Sequence, residues 1–204
     1  MTPVARLVGV VLAGGTSRRL GRDKAGESVG DVRMIDRAVA ALSGSCAEVV
    51  VVSSRSDTPA GPWTRIPDTR EPCGPLGGIE AALQYATRSG FDGAFVLACD
   101  LPLVDGTVIQ SIAQALGTTG ASAPRRDGHP DFEPLCAAYR TSCLPAARDL
   151  LDSGVRAAKA LFDEVQGVRV EVPQDVFLNV NTEDDLARAE SVLNSQDPEL
   201  QDDA

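Results

Sequence analysis

The chain has one histidine, no C-x-x-C pair and no apolar run long enough to cross a bilayer, and each gap removes a class of function. Its five cysteines, Cys46, Cys73, Cys99, Cys136 and Cys143, are odd in number and widely spaced. That pattern excludes a disulfide framework or a cysteine-bound zinc as the organising feature and fits a reducing compartment. His129, between Gly128 and Pro130 in a polar stretch, reads as a surface or loop-packing residue. Trp63 reads as packing rather than a base-stacking platform. The run at 7–12 is interrupted by Gly9 and followed by Gly14, which is too short for a signal-peptide core or a membrane span, so a soluble cytoplasmic protein is expected. Positive charge is also scarce: 19 Lys and Arg against 29 Asp and Glu leave a net charge of -10, whose summed field would repel nucleic acid. The chain contains no internal repeat and no low-complexity block.

With 204 residues the chain suits one domain that buries about 70% of its unfolded surface, so the core needs no metal or disulfide staple. Apolar runs of strand length alternate with helical periodicity. Strands are predicted at 7–12 and 49–52, with a helix at 34–42 carrying apolar residues at 34, 35, 38, 39 and 42. A glycine-rich turn, Gly74-Pro75-Leu76-Gly77-Gly78, is expected to precede a helix over 79–87, and the six apolar residues 94–99 read as a strand buried on both faces. Further helices are predicted at 108–116 and near 142–151, and extended segments at 121–123, 135–139 and 168–172. The last helix is expected to run from the N-cap Thr182 to about Leu193, with Glu183, Asp184 and Asp185 in the first turn, where the helix dipole favours negative charge. Residues 194–204 include Asp197, Glu199, Asp202 and Asp203 and no cation, and read as an acidic disordered tail beyond a 1–193 domain. The alternation predicts an α/β fold, a three-layer α/β/α sandwich with a mostly parallel sheet and ligands beyond the carboxyl ends of its strands.

The segment Leu12-Ala13-Gly14-Gly15-Thr16-Ser17-Arg18-Arg19-Leu20-Gly21-Arg22-Asp23-Lys24 is the most informative in the chain. A strand that stops at paired glycines exposes bare backbone N–H groups, and Arg18, Arg19, Arg22 and Lys24 follow, countered locally by Asp23. The result is a small positive spot on an acidic protein, suited to a compact polyphosphate. It is not a Walker loop, because five residues lie between Gly15 and Gly21 and Arg22 follows the second glycine; the G-x-G-x-x-G dinucleotide spacing fails as well. Taken alone, the segment also reads as a glycine turn followed by solvated charges. Asp100 ends the buried 94–99 run, and Pro102 biases Leu101 toward extended geometry, so the carboxylate belongs at a strand's carboxyl end, where a magnesium ligand would sit. A turn-forming Asp before Leu-Pro is the plain alternative. The 74–78 turn permits close backbone approach to a flat ligand or phosphate, and equally an ordinary loop-to-helix connection.

In combination these motifs resemble a known family. Leu-Ala-Gly-Gly-x3-Arg-x-Gly-x2-Lys, Asp68 before Gly-Pro-Leu-Gly-Gly, Cys-Asp-Leu-Pro at 99–102, Pro-Leu-Cys-Ala-Ala-Tyr at 134–139 and Asn-Val-Asn-Thr at 179–182 resemble the molybdenum cofactor guanylyltransferases, which are MobA-like nucleotidyltransferases. The resemblance covers about residues 7–193 and implies the Rossmann-like sheet of the nucleotidyltransferase type. It further implies that Leu12, Ala13, Gly14 and Gly15 hold the nucleotide through their backbone, and that Arg19 and Lys24 contact the triphosphate. Asp68 matches a carboxylate on the nucleotide side, Asp100 the Mg2+ ligand, Gly78 a position beside the nucleotide, and Asn179 and Asn181 the pterin half of the site. Where the family often has an Asn at the end of its second strand, this chain has Val52-Ser53-Ser54, and Ser53 is the candidate substitute, although a hydroxyl offers fewer directed hydrogen bonds than an amide. Leu12-Ala13-Gly14-Gly15 is similar to the guanylyl branch, whereas relatives that use CTP commonly show Leu-Ala-Ala-Gly.

The implied reaction is attack by the terminal phosphate of molybdopterin on the α-phosphorus of GTP, with release of pyrophosphate and no protein nucleophile. The implied partners are GTP, molybdopterin or the molybdenum cofactor, and a cofactor-delivery or acceptor protein; neither nucleic acid nor a membrane is expected. Two other readings stay open on the residues alone: a transferase of the same fold using CTP or another phosphorylated acceptor, and a noncatalytic nucleotide-binding module. The joint presence of Arg19, Lys24 and Asp100 argues against the module, since simple binding does not require a metal carboxylate in line with phosphate cations.

Overall fold

The computed structural model describes residues 5–14, 24–70, 74–126 and 131–196, with the side chains of Lys24, Arg126, Asp175 and Gln196 left aside. In chain order the strands and helices are β1 (Leu7–Leu12), β2 (Ser28–Val29), β3 (Val32–Arg33), α1 (Met34–Ser43), β4 (Val49–Val52), β5 (Thr64–Ile66), α2 (Gly74–Arg88), β6 (Gly93–Ala98), α3 (Gly106–Ala115), β7 (Ala121–Arg126), β8 (Cys136–Arg140), α4 (Leu144–Asp152), α5 (Ala158–Glu164), β9 (Val168–Val172) and α6 (Glu183–Gln196). Seven strands form one sheet in the order β5-β4-β1-β6-β8-β7-β9, and β2 pairs with β3 as a separate hairpin. Within the large sheet β8 runs antiparallel to β6 and β7, while the other paired strands run parallel.

Continuous apolar strands are buried on both faces, so successive side chains feed opposite cores. Val8, Val10, Val50, Val52, Ala94 and Val96 point to the layer formed by α2, α4 and α5. Leu7, Val11, Val51, Phe95 and Leu97 point to the layer of α1 and α3. The three-layer α/β/α arrangement follows directly from that alternation. A third, smaller cluster joins Val29 of the hairpin, Met34, Val180 and Ala189, so the hairpin docks on α6 and on the segment before it. Gly30 N–H donates to Glu190 Oε1 of α6 at 3.0 Å, which fastens the same contact.

The glycine-rich segment differs from expectation. It is not a turn ahead of a helix at 79–87 but the first turn and a half of α2 itself, which begins at Gly74. Pro75 suits a helix start because its missing N–H would have no intrahelical acceptor there. The Leu76 N–H is taken by the Arg156 carbonyl at 3.1 Å. Gly78 lies inside the helix in close contact with β1: a Cβ there would meet Leu12 Cδ2 at 3.0 Å, so a side chain would require the leucine to give by a few tenths of an ångström. Three elements had no clear periodic signal: β5, the short helix α5, and the β2–β3 hairpin. The extended piece expected at 121–123 runs on to Arg126, paired in parallel with β9.

α6 begins as its sequence predicts and ends at Gln196 rather than near Leu193, while residues 197–204 lie outside the described ones. Thr182 Oγ1 accepts the Asp185 N–H at 3.2 Å, and Asp185 Oδ2 accepts the Thr182 N–H at 3.0 Å, a reciprocal capping box. Asp185 Oδ2 also takes the Asn181 N–H at 3.1 Å, so the cap fixes the backbone just before the helix. Replacing Thr182 by Ala is expected to lower unfolding stability by about 1 kcal/mol in urea titrations. An unchanged midpoint and slope would show that the cap carries no weight.

Candidate functional site

The register of the three central strands sets the site. Leu12 of β1 lies opposite both Val52 of β4 and Ala98 of β6, so all three strands stop at one level. The chain segments that leave them form a single rim. Ala13 N–H donates to the Val52 carbonyl at 3.0 Å, and Cys99 N–H to the Leu12 carbonyl at 3.3 Å. From β5, Asp68 reaches the same rim: a Cβ placed on Gly14 would be 3.8 Å from Asp68 Oδ2. Ser54 Oγ accepts the Asp68 N–H at 3.0 Å. Ser53 is only 3% exposed, and its hydroxyl pairs with Thr58 Oγ1 at 2.6 Å and accepts the Arg55 N–H at 3.2 Å. That hydroxyl therefore braces the 53–58 turn from inside, while the exposed side chain at this strand end is Ser54.

Asp100 follows β6, and its carbonyl accepts the Val180 N–H at 2.9 Å. This bond brings the Asn179-Val180-Asn181 segment to the aspartate, with Asn181 Nδ2 donating to Asn179 Oδ1 at 2.7 Å. A second acid stands close by. Glu133 lies just ahead of β8, its Oε1 accepting the Leu135 N–H at 2.9 Å, while the Leu135 carbonyl accepts from Ala98 N–H at 2.7 Å. Burial pushes the Glu133 carboxyl up; the Leu135 N–H opposes this, and the Asp100 charge adds to the rise. Nothing in the sequence spacing links Glu133 to Asp100, because the antiparallel pairing of β6 with β8 creates their proximity. Among the described residues no group of three or more His, Cys, Asp or Glu is gathered as a metal cage. A rim carboxylate with no cage of acids gathered around it among the described residues fits a cation that takes most of its shell from phosphates and water, as Mg2+ does.

A further carboxylate lies beneath the rim. Glu80 of α2 is 2% exposed and accepts on both oxygens, with Arg70 spanning the two. Oε2 accepts from Thr69 Oγ1 at 2.6 Å and Arg70 Nε at 3.1 Å, in the loop that follows Asp68. Oε1 accepts from Gln84 Nε2 at 3.2 Å and from Arg148 Nε of α4 at 3.3 Å. Arg70 also pairs with Asp152 at the end of α4. Sequence reasoning passed over Glu80, since within α2 it looked like any helical glutamate.

The structure thus brings Leu12, Ala13, Gly14, Ser53, Asp68, Gly78, Asp100, Asn179 and Asn181 to one end of the sheet, with Ser53 Oγ also donating to the Ala13 carbonyl at 3.5 Å. Gly15, Arg19 and His129 lie outside the described residues, as does the side chain of Lys24. The Lys24 backbone opens a single 3-10 turn, Lys24–Gly26, whose Ala25 is buried in the same cluster as Ala13 and Cys99. Cys99 fills core space beside Asp100. Cys46, Cys99, Cys136 and Cys143 carry thiols, and Cys73 is outside the described residues. Trp63 packs on the α1/α3 core, with the Arg33 guanidinium 6.0 Å from its ring centre. Among the described residues no helix is long and apolar enough to cross a membrane.

Comparison with known proteins agrees with this geometry. Residues 9–170 match the model of the MobA-like NTP transferase domain. A Mycobacterium avium protein named probable molybdenum cofactor guanylyltransferase is 32% identical over 191 residues, covering 91% of this chain and 96% of its own. A protein of the same name from Pelotomaculum thermopropionicum is 32% identical over 194 residues, covering 89% and 90%. Of solved structures, molybdopterin-guanine dinucleotide biosynthesis protein A from Archaeoglobus fulgidus superposes with a TM-score of 0.75 at 24% identity, over 93% of this chain and 100% of the other. The 2-C-methyl-D-erythritol 4-phosphate cytidylyltransferase of Thermus thermophilus superposes with a TM-score of 0.67 at 16% identity, over 91% and 98%. At these identities the structural likeness speaks for the fold alone.

The buried acid makes the rim acid-sensitive in a defined direction. Burial pushes the Glu80 carboxyl up, but the Thr69 hydroxyl and the Arg70 and Arg148 guanidiniums outweigh it and hold it below the usual range. A carboxyl lowered on folding contributes stability above its unfolded value, about 4.3, and loses it as the pH falls through the folded value. The stability gap between wild type and Glu80→Gln in urea should therefore be constant between about pH 8 and 5 and narrow below about pH 4. A gap that widens on acidification would contradict the sign.

Proposed function

The chain belongs to the MobA-like NTP transferase family, and from that footing we propose that it transfers GMP from GTP to the terminal phosphate of molybdopterin, releasing pyrophosphate. The observation that carries this reading is the convergence of the Gly14 turn, Asp68 and Asp100 on one rim, with Asn179 and Asn181 tied to Asp100 through Val180. The names of the relatives at 32% identity support molybdopterin as acceptor. Leu12-Ala13-Gly14-Gly15 supports GTP over CTP.

In the proposed step an oxygen of the acceptor phosphate forms a bond to the α-phosphorus of GTP. The bond from that phosphorus to the oxygen bridging to the β-phosphate breaks, and pyrophosphate leaves with the electron pair. The attacking phosphate is already ionised near neutral pH, so neither a protein nucleophile nor a histidine base is required. Catalysis of this kind rests on positioning and charge stabilisation. The backbone of 12–15 lies along the nucleotide, the Ala13 N–H being taken by the Val52 carbonyl and so not a phosphate donor, and Asp68 orients the nucleoside side. Arg19 and Lys24 meet the charge that grows on the leaving pyrophosphate, one as a planar fork and the other as a point charge. Asn179 and Asn181 line the acceptor side. Asp100 would hold Mg2+, which when bound neutralises phosphate charge. We place the reaction in the cytoplasm, with a delivery or acceptor protein exchanging the pterin.

Pyrophosphate release with molybdopterin, Mg2+ and each NTP in turn tests this reading, with GTP expected to support turnover and CTP and ATP not. Turnover with CTP in place of GTP would overturn the base assignment. Asp100→Ala should lose most turnover while its unfolding midpoint stays near that of wild type, because it removes a rim group and not a core group. Lys24→Ala should cost on the order of 2 to 4 kcal/mol of transition-state stabilisation, and an unchanged rate would leave Lys24 as surface charge.

A further inference from the structure

We propose that Glu80 is a positioning residue that acts through Thr69 to hold the Asp68 carboxylate against the Gly14 turn. The inference rests on the reading of Asp68 as a nucleotide-side group. Asp68 is fixed from both neighbours. On its amino side, Ser54 Oγ at the end of β4 accepts the Asp68 N–H at 3.0 Å. On its carboxyl side, Thr69 donates its hydroxyl to Glu80 Oε2 at 2.6 Å and Arg70 donates its Nε to the same oxygen at 3.1 Å. The loop would otherwise have little to hold it, because β5 is a three-residue edge strand with two exposed residues.

The location of the anchor matters as much as its bonds. Glu80 sits in α2 one turn of helix beyond Gly77, and α2 is pressed on β1 through the contact of Gly78 with Leu12. The helix that carries the anchor is therefore registered against the strand that carries the Gly14 turn, so Glu80 fixes Asp68 relative to its target. Hydrogen bonds to a buried ionised carboxylate are stronger than those between neutral groups, and solvent screens them little. Thr69 bonds to Oε2 and Arg148 to Oε1, with Arg70 spanning both oxygens, and the separation of Thr69 from Arg148 gives a discriminating test.

GTP dissociation constants are measured for wild type, Asp68→Asn, Thr69→Val, Thr69→Ser, Arg148→Ala and the double variant Asp68→Asn/Thr69→Val. Thr69→Val should weaken binding about tenfold, the scale of one charge-assisted hydrogen bond, and Thr69→Ser, which keeps the hydroxyl, should restore it. Arg148→Ala should bind as wild type does. The double variant should be no weaker than Asp68→Asn alone, because Thr69 acts only through its neighbour. Fully additive losses, or an Arg148→Ala defect equal to that of Thr69→Val, would reduce Glu80 to a general brace and overturn the proposal. Should CTP bind where GTP does not, the base assignment falls and the same cycle is read with CTP. Amide hydrogen exchange of the free protein reads the positioning without any nucleotide: Thr69→Val should speed exchange at 68–70 and leave β1 unchanged, and unaltered exchange at 68–70 would overturn the proposal.

Discussion

Everything at the rim depends on the register that sets Leu12 opposite Val52 on one side and Ala98 on the other. Two residues beyond those three paired ends stand Gly14, Ser54 and Asp100. In a sheet buried on both faces, a slip of one residue would turn Val8 and Val10 toward the wrong helix layer and move Asp100 off the level of the glycine turn. Packing of the core and placement of the functional groups are thus one constraint, enforced by burial on two sides at once.

A second layer of organisation is electrostatic. The chain is acidic overall, yet its acids near the rim are used in distinct ways. Glu80 is buried with donors on both oxygens and serves the scaffold. Glu133 stands near Asp100, and burial together with the Asp100 charge raises its carboxyl. The phosphates of a nucleotide would need compensating positive charge, which the sequence concentrates at Arg18, Arg19, Arg22 and Lys24. The small hydrophobic cluster of Val29, Met34, Val180 and Ala189 joins the chain that emerges from this cationic segment to the Asn179–Asn181 segment. The hairpin that follows the cationic segment and the Asn179–Asn181 segment therefore share packing.

Much of this was legible in the sequence where burial is symmetrical and local. The runs 7–12, 49–52 and 94–99 were visible because strands buried on both faces need uninterrupted apolar residues, and Thr182 with Asp185 announced its own helix. What escaped depended on contacts distant in sequence. Thr64–Ile66 is a short, largely exposed edge strand with no alternating pattern to read. The start of α2 was misplaced because Gly77 and Gly78 argue against a helix locally, whereas Gly78 packs closely on Leu12 from within one. Glu80 and Glu133 looked ordinary, since what distinguishes each is a partner across the fold: Thr69 and Arg148 for the first, Asp100 for the second. The motifs at Gly14, Asp68, Asp100 and Asn179 were readable as types of residue, and their convergence on one rim became evident only with the strand order.

The most direct measurement is a crystal structure of the chain with Mg2+ and a GTP analogue whose α–β bridge cannot be cleaved. The account predicts one triphosphate lying across the rim, its oxygens on the backbone of the Gly14 turn and sharing a metal ion with the Asp100 carboxylate. A triphosphate bound away from the ends of β1 and β6, or a metal ion with no bond to Asp100, would contradict it.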